Sequence, residues 1–180
     1  TWRFYYNTNN GLLEKIVTPA GYTNVYVQYD DYGRRTNTIN ALGESTRMEY
    51  GTPGNRQTRT TDAGGFQWID TYDRQGRVST QRDPLGHETR YVYDEHGNRN
   101  AITDPNGNTT LLGYDVRGNV IAQTNALGEV TLRTFHPFFN RPLTETDPLG
   151  WTTTNSYDAS GNLLSQRDAL GTLASYTYTT

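Results

Sequence analysis

The stretch 83–99, DPLGHETRYVYDEHGNR, has a turn signal at each end and a short alternating segment between them. The first signal, DPLG at 83–86, offers a side-chain acceptor, a residue of fixed φ and a glycine in the order of a type I turn. The segment HETRYVY alternates two sets of side chains, which predicts a β-strand. The second signal closes the phrase Tyr-Asp-x-x-Gly at Gly97. The stretch therefore predicts one strand between two tight turns.

This phrase recurs along the whole chain at a spacing of 21 or 22 residues. The glycines that close the DPLG-type turns, called the first series, are Gly21, Gly43, Gly65, Gly86, Gly107, Gly128, Gly150 and Gly171. The residues that close the Tyr-Asp-x-x-Gly turns, called the second series, are Gly11, Gly33, Gly54, Gly76, Gly97, Gly118, Asn140 and Gly161. Such a fixed period indicates a repeat architecture. We predict a single repeat region over residues 1–180, without an internal domain boundary.

The segments between the turns are of strand length and too short for stable helices. We predict an all-β fold in which about eight antiparallel β-hairpins, with sixteen strands, pair edge to edge in a curved sheet. Two other architectures remain. A parallel β-helix would pair equivalent residues of successive units as parallel strands. A propeller would need blades made of two units and a period of about 42 residues, which the similar loops do not indicate.

When the repeats are aligned in sequence, two columns of recurring residues stand out beside the second-series turns. The first is aromatic in every copy: Tyr6, Tyr29, Tyr50, Tyr72, Tyr93, Tyr114, Phe135, Tyr157 and Tyr178. The second is an aspartate that directly follows the aromatic residue: Asp30, Asp73, Asp94, Asp115 and Asp158. We predict that the rings form a structural ladder and that the aspartates cap the turn backbone. The alternatives are an aromatic track for sugars and a calcium-binding rim of carboxylates.

The composition excludes several classes of function. Hydrophobic residues make up 33% of the chain, there is no cysteine, and the net charge is −3 with Lys15 as the one lysine. The columns mix apolar and charged residues, so we expect polar character on both faces of the sheet and no apolar band of a membrane barrel. No run of 18 apolar residues occurs. The sequence therefore predicts no nucleic-acid partner and no membrane insertion.

The sequence contains few residues or motifs that are typical of a catalytic site. Its three histidines, His87, His96 and His136, form no His-x-x-His or Glu-x-x-His pattern, and no phosphate-binding or nucleophile-elbow motif is present. Neighbouring carboxylates recur at equivalent turns, whereas a catalytic group usually occurs once. We predict that the chain is not an enzyme and has no catalytic residue, metal site or cofactor.

The repeating unit resembles the YD repeat of the Rhs family, most clearly in YDRQGRVSTQRDPLG (72–86) and YDEHGNRNAITDPNG (93–107). The resemblance implies a segment of a hollow β-shell, belonging to a longer chain, that encloses a C-terminal toxin. It also implies synthesis in the bacterial cytoplasm and delivery by a secretion system such as type VI. The implied partners are the enclosed toxin domain, the remaining repeats of the same polypeptide, and secretion spike or chaperone proteins.

The aromatic residues of the chain leave a second function as an alternative. Related proteins act at cell surfaces, and exposed aromatic residues such as Trp2, Trp68 and Trp151 are suited to carbohydrate binding. The alternative hypothesis is therefore a cell-surface recognition or carbohydrate-binding repeat module.

Overall fold

The computed structural model describes residues 1–51 and 55–178; Gly54 of the second series lies outside the described residues. Seventeen β-strands and no helix are found in these ranges. The strand pairs within each unit are antiparallel, so the predicted all-β array of hairpins is confirmed and the parallel β-helix is wrong. The predicted number of sixteen strands was one too low. The eight turns of each series need a strand on both sides and therefore join seventeen.

The first compact unit is Thr1–Thr89. Each strand from β1 to β7 pairs with the next along the chain, as expected for a meander. The strands are β1 (Arg3–Tyr6), β2 (Leu13–Val17), β3 (Thr23–Tyr29), β4 (Arg35–Asn40), β5 (Ser45–Tyr50), β6 (Gln57–Thr61), β7 (Gln67–Tyr72) and β8 (Val78–Arg82).

The second compact unit is Arg90–Thr180. It contains most of β9 (Glu88–Tyr93) and all later strands, again paired in chain order. These strands are β10 (Arg99–Thr103), β11 (Thr109–Tyr114), β12 (Val120–Thr124), β13 (Val130–Phe135), β14 (Pro142–Thr146), β15 (Thr152–Tyr157), β16 (Leu163–Asp168) and β17 (Gly171–Ser175).

The turns have the geometry of a type I turn followed by a glycine bulge. In the turn after β7, Gly76 N donates to Asp73 O at 3.2 Å, and Asp73 N donates to Arg77 O at 2.8 Å. Gly76 has a φ of +79°, which glycine adopts without the strain of a Cβ atom. The same pair of bonds recurs in most turns of both series, so the predicted turn recipe is confirmed there.

Among the turns that the structure describes without a gap, three differ from this recipe. The two turns with one extra residue close by a longer bond, from Gly11 N to Asn7 O at 2.8 Å and from Asn140 N to His136 O at 3.0 Å. Asn140 takes the positive φ of the missing glycine, at +54°. The last first-series turn is tighter, because Asp168 pairs directly with Gly171 and the φ of that glycine is +139°.

Neither unit has a conventional core. Among the described residues, the buried apolar side chains are Val17 and Val27, and the buried polar one is Thr58. No described side chain is less than 2% exposed. Neither face is fully buried, although strands such as β5 and β13 alternate exposed with half-buried residues. The hydrogen-bonded ladder and turn contacts must therefore supply much of the stability. None of the described elements is a helix long and apolar enough to cross a membrane.

Candidate functional site

Each unit has two edges made of turns, which we call rims. The first rim of a unit consists of its first-series turns, and the second rim consists of its second-series turns. In the first unit, the first rim lies at residues 18–22, 40–44, 62–66 and 83–87, and the second rim at 7–12, 30–34, 50–51 with 55–56, and 73–77. In the second unit, the first rim lies at residues 104–108, 125–129, 147–151 and 168–171, and the second rim at 94–98, 115–119, 136–141 and 158–162.

The carboxylate at the start of a turn holds both the backbone and one side chain. Asp73 Oδ1 accepts hydrogen bonds from Gln75 N and Arg77 N, each at 2.9 Å. Asp73 Oδ2 accepts from Arg77 Nε at 2.7 Å. We call this second contact, between the first and fifth residues of a turn, the clasp. Arginine, asparagine or histidine supplies it opposite aspartate: Asp30–Arg34, Asp83–His87, Asp94–Asn98, Asp104–Asn108, Asp115–Asn119 and Asp158–Asn162.

Where the turn begins with asparagine, the direction of the clasp hydrogen bond is reversed, and the first residue donates to the fifth. Asn40 Nδ2 donates to Glu44 Oε2 at 2.7 Å, and Asn125 Nδ2 donates to Glu129 Oε2 at 2.6 Å. Asparagine can donate from its amide while its oxygen caps the backbone, whereas aspartate can only accept. The fifth residue therefore matches the hydrogen-bonding capacity of the first.

The clasps lower the pKa of the turn carboxylates. At Asp94, the side-chain hydrogen bond from Asn98 is the largest cause, and it holds the pKa below its ordinary value despite partial desolvation. Asp104, Asp115 and Asp158 share this cause through their own asparagine partners. At Asp30, desolvation alone would raise the pKa, but the hydrogen bonds from Arg34 and Tyr32 together lower it.

The tyrosine column links neighbouring strands by its hydroxyl groups. Five of these hydroxyls donate to the carbonyl that lies two residues after the residue closing the previous second-series turn, at 2.7–3.1 Å. The bonds run from Tyr29 to Leu13, Tyr50 to Arg35, Tyr114 to Arg99, Tyr157 to Pro142 and Tyr178 to Leu163. Beside most of these tyrosines the pairing register shifts by one residue, as in a β-bulge. Tyr72 lies beside such a shift too, but its N–H donates to Arg56 O.

One turn replaces this chemistry with aromatic packing. Phe135 takes the tyrosine position, and His136 takes the aspartate position. The N–H groups of Phe138 and Phe139 donate to His136 Nδ1, each at 3.3 Å, so the imidazole caps the turn as a carboxylate does elsewhere. The His136 ring also stacks on Phe139 with centroids 4.5 Å apart.

The other two histidines also serve local turn contacts. His87 Nδ1 lies 2.9 Å from Asp83 Oδ2, and the N–H of His96 donates to Asp94 Oδ1 at 3.0 Å. Over residues 1–51 and 55–178, no group of three or more His, Cys, Asp or Glu side chains is arranged to hold a metal ion.

Both units carry open grooves. In the first unit, a groove of about 710 Å³ lies beside the second rim and is lined by polar side chains that include Asn7, Glu14 and Gln28. In the second unit, a groove of about 370 Å³ lies between two first-rim turns, beside Trp151 and Leu170. Both are open to solvent, unlike the enclosed apolar pockets that usually bind small molecules.

The predicted aromatic candidates are exposed at separate places. Trp2, Trp68 and Trp151 each expose 40–56% of their surface. A closer grouping lies on one face of the first unit, where Tyr5 pairs with Lys15 and Lys15 pairs with Tyr26 across three strands. Lys15 Nζ lies 4.6 Å from the Tyr5 ring centroid.

Sequence reasoning missed the fifth residue of the turns. Asn98, Asn108 and Asn119 were not selected, although each closes a clasp. The signal was present in the chain, because both turns that begin NALG continue with glutamate, and none that begins with aspartate does. A comparison of the first and fifth positions across the repeats would have found the pairing.

Comparison with known proteins gives the following similarities. The RHS Repeat family model matches residues 72–109, 101–130 and 139–173. The crystal structure of TcdB2-TccC3 is similar with a TM-score of 0.74 and 23% identity, over 98% of this chain and 11% of that chain. The complex TcdB2-TccC3-Cdc42 gives a TM-score of 0.72 and 22% identity, over 92% of this chain and 10% of that chain.

The Tc holotoxin pore of Photorhabdus luminescens gives a TM-score of 0.66 and 23% identity, over 85% of this chain and 9% of that chain. This chain therefore spans 9–11% of the length of these structural relatives, and the likeness shows a shared fold. No curated protein matches the chain in sequence.

Proposed function

The chain belongs to the RHS repeat family, and from this premise we propose that it forms one segment of the wall of a hollow β-shell. In this proposal the shell encloses a toxin domain of the same polypeptide. The protein is made in the bacterial cytoplasm and is delivered by a secretion system. The role of this segment is containment, with no catalytic step and no cofactor.

The lack of a buried core is the observation that carries this proposal. Neither unit buries a face completely: strands such as β5 and β13 alternate exposed with half-buried residues, and the buried apolar side chains are confined to Val17 and Val27 within the described ranges. A sheet one layer thick fits a wall with solvent on both sides, whereas an independent globular domain buries one face against another layer. A polar inner face also holds a guest without a strong apolar attraction that would oppose its release.

The tyrosine column supports further repeats as partners of this segment. Each hydroxyl bond reaches back to the preceding strand, as from Tyr29 to Leu13. Tyr6 continues the column on β1, but its hydroxyl has no acceptor in the described part of the chain. We propose that residues 1–180 are a continuous part of a longer repeat region, whose neighbouring strand supplies the acceptor carbonyl.

The residues of the columns have a structural role in this proposal. The tyrosines join successive hairpins, the aspartates clasp the turns, and the glycines permit positive φ angles. The similar solved structures include a Tc holotoxin pore, which supports the association of this fold with a toxin.

Limited proteolysis of the full-length polypeptide that carries this segment tests the proposal. We expect the enclosed C-terminal domain to survive a protease concentration that digests the same domain expressed alone. Replacing Gly86, Gly107 and Gly128 by valine strains three turns that need positive φ, so the variant should admit protease and lose the protected fragment. Thr109→Ser is the control and should keep the protection. Equal digestion of the enclosed and the isolated domain would contradict containment.

The row Tyr5–Lys15–Tyr26 favours carbohydrate binding as a second candidate function. Two aromatic rings on alternate strands are about 10 Å apart, and the ammonium of Lys15 between them suits an acidic saccharide. Gln28, which follows on the same face of β3, and its hydrogen-bond partner Asn37 add amide groups. A glycan array with the chain and with Tyr5→Ala and Tyr26→Ala tests this function. Signal that is equal in all three proteins, or absent, would exclude this row as a binding site.

A further inference from the structure

The first rim of each unit carries leucines that are largely exposed. They occupy the third position of the first-series turns and expose between 79% and 89% of their surface. They are Leu42 and Leu85 in the first unit, and Leu127, Leu149 and Leu170 in the second. An exposed leucine at the tip of a turn does not stabilise the folded chain, and turn positions usually favour small or polar residues.

Further apolar side chains extend this surface. In the first unit, Tyr22 and Phe66 are 73% and 57% exposed, and both directly follow a first-series glycine. Turns of one rim recur at every second strand, which places neighbouring tips about 10 Å apart. An apolar row of this kind marks an interaction surface.

The charges of the two rims differ in sign in the first unit. Its first rim has three acidic residues, Glu44, Asp62 and Asp83, and no lysine or arginine. Its second rim has four arginines among the described residues, Arg34, Arg56, Arg74 and Arg77, against three aspartates. Two of these aspartates are engaged by the clasps with Arg34 and Arg77. Arg74 has no ion-pair partner among the residues the structure describes.

The second rim of the first unit also matches the leucines in shape and chemistry. Tyr32 at the tip of one turn is 84% exposed, and Arg74 is exposed at the tip of another. An arginine stem and a tyrosine ring both offer apolar surface while they keep their polar ends in water. Both rims follow the same strand spacing, so several tips can meet at once.

We propose that the first rim of the first unit in one copy of this chain docks on the second rim of the first unit in another copy. Leucine tips pack against Tyr32 and the stem of Arg74, and the acidic first rim faces the arginines. Because two different surfaces meet, the contact is heterologous and leaves the other rim of each first unit free for a further copy. The wild-type chain therefore associates in a head-to-tail manner. This inference concerns association between copies and does not depend on the enclosed toxin.

Sedimentation velocity of the purified chain provides the test. We expect the sedimentation coefficient of the wild type to rise with protein concentration and to fall as NaCl is added, since salt screens the exposed charges. The leucine variant replaces all five rim leucines by serine, and the arginine variant combines Tyr32→Ser with Arg74→Glu. Each variant alone should sediment as a monomer. Asn106→Ser, at the third position of another first-series turn, is the control and should behave as wild type.

Mixing the two variants separates this contact from other modes of association. Each variant retains the rim that the other has lost, so the mixture should form a one-to-one dimer that grows no further. Circular dichroism of both variants should match the wild type, because the changed residues lie at exposed tips. A wild type that stays monomeric overturns the proposal. So does a mixture without dimer, or an arginine variant that still self-associates through its leucines.

Discussion

The hydroxyl of Tyr114 on β11 donates to the backbone carbonyl of Arg99 on β10 at 2.8 Å. The guanidinium of Arg99 lies 4.3 Å from the ring of Tyr91 on the neighbouring strand. One residue thus contacts two tyrosines, through its backbone on one side and its side chain on the other. Contacts of this kind join consecutive hairpins, since very few side chains are buried among the residues that the structure describes.

Phe135 is the one member of this column without a hydroxyl, so Phe135→Tyr should stabilise the chain. The equivalent acceptor is the carbonyl of Val120, which lies two residues after Gly118 as Arg99 lies two residues after Gly97. A new hydrogen bond should add about 0.5–1.5 kcal/mol to the free energy of unfolding. Urea denaturation followed by circular dichroism measures this change.

Tyr114→Phe is the matched control for that substitution. It removes the bond to Arg99 and should lower the free energy of unfolding by about 0.5–1.5 kcal/mol. Equal stability of both variants and the parent would show that the hydroxyl bonds do not contribute.

Asn125→Asp should destabilise the turn between β12 and β13. The new carboxylate faces Glu129, whose Oε2 now accepts from Asn125 Nδ2. Two carboxylates in this position repel each other and lose the clasp, at an expected cost of about 1 kcal/mol at pH 7. The double variant Asn125→Asp with Glu129→Asn reproduces the pair Asp104–Asn108 and should regain most of the loss.

Thermal unfolding of the four proteins gives the coupling energy between the two positions. A double variant no more stable than Asn125→Asp would contradict the rule that the fifth residue matches the first. The parent and Glu129→Asn complete the cycle.

The clasped aspartates should make the chain sensitive to acid. Their pKa values in the folded protein lie below the ordinary value of an aspartate, because hydrogen bonds to the carboxylate favour its charged form, as at Asp94, Asp104 and Asp115. A lowered folded pKa stabilises the protein above the pKa of the unfolded chain, about 3.9, and this stabilisation is lost as the pH falls through the folded value. The urea midpoint should therefore be steady from pH 7 to about pH 5 and decrease below about pH 4.

Asp94→Ala provides the comparison for this pH series. The variant should be less stable than the parent at pH 7, because it loses the bonds to Asn98 and His96. The difference should shrink toward pH 2, where the parent's carboxylate is protonated as well. A constant difference across the series would exclude ionisation of Asp94 as the source of its contribution.

The repeat spacing predicted the strands and turns because both are local consequences of sequence. Asp73, Gly76 and the alternation between turns define a hairpin without reference to distant residues. The acceptors of the tyrosine hydroxyls were harder to predict from the sequence, because the bulge beside Tyr114 decides which carbonyl lies within hydrogen-bonding distance. The replacement of Asp by His136 was visible in the sequence, but its stacking on Phe139 depends on the conformation of a five-residue turn.

Substitution of the turn glycines should separate backbone strain from crowding. Gly128 has a φ of +82° and open space around an added Cβ, so Gly128→Ala should cost only the strain of about 1–2 kcal/mol. Gly161 has a similar φ of +83°, but an added Cβ would lie 2.9 Å from Phe139 Cδ1. Gly161→Ala should therefore cost about 1–3 kcal/mol more than Gly128→Ala, since it also overpacks the stack of Phe139 on His136.

Gly128→Asn is the control for the cost of a positive φ. Asparagine tolerates such an angle and already adopts it at Asn140. It should cost less than Gly128→Ala, although it adds a larger side chain. Urea denaturation of the three variants and the parent measures these differences. If Gly128→Asn proves less stable than Gly128→Ala, side-chain size rather than the backbone angle governs the turns, and the regular glycine spacing needs another physical cause.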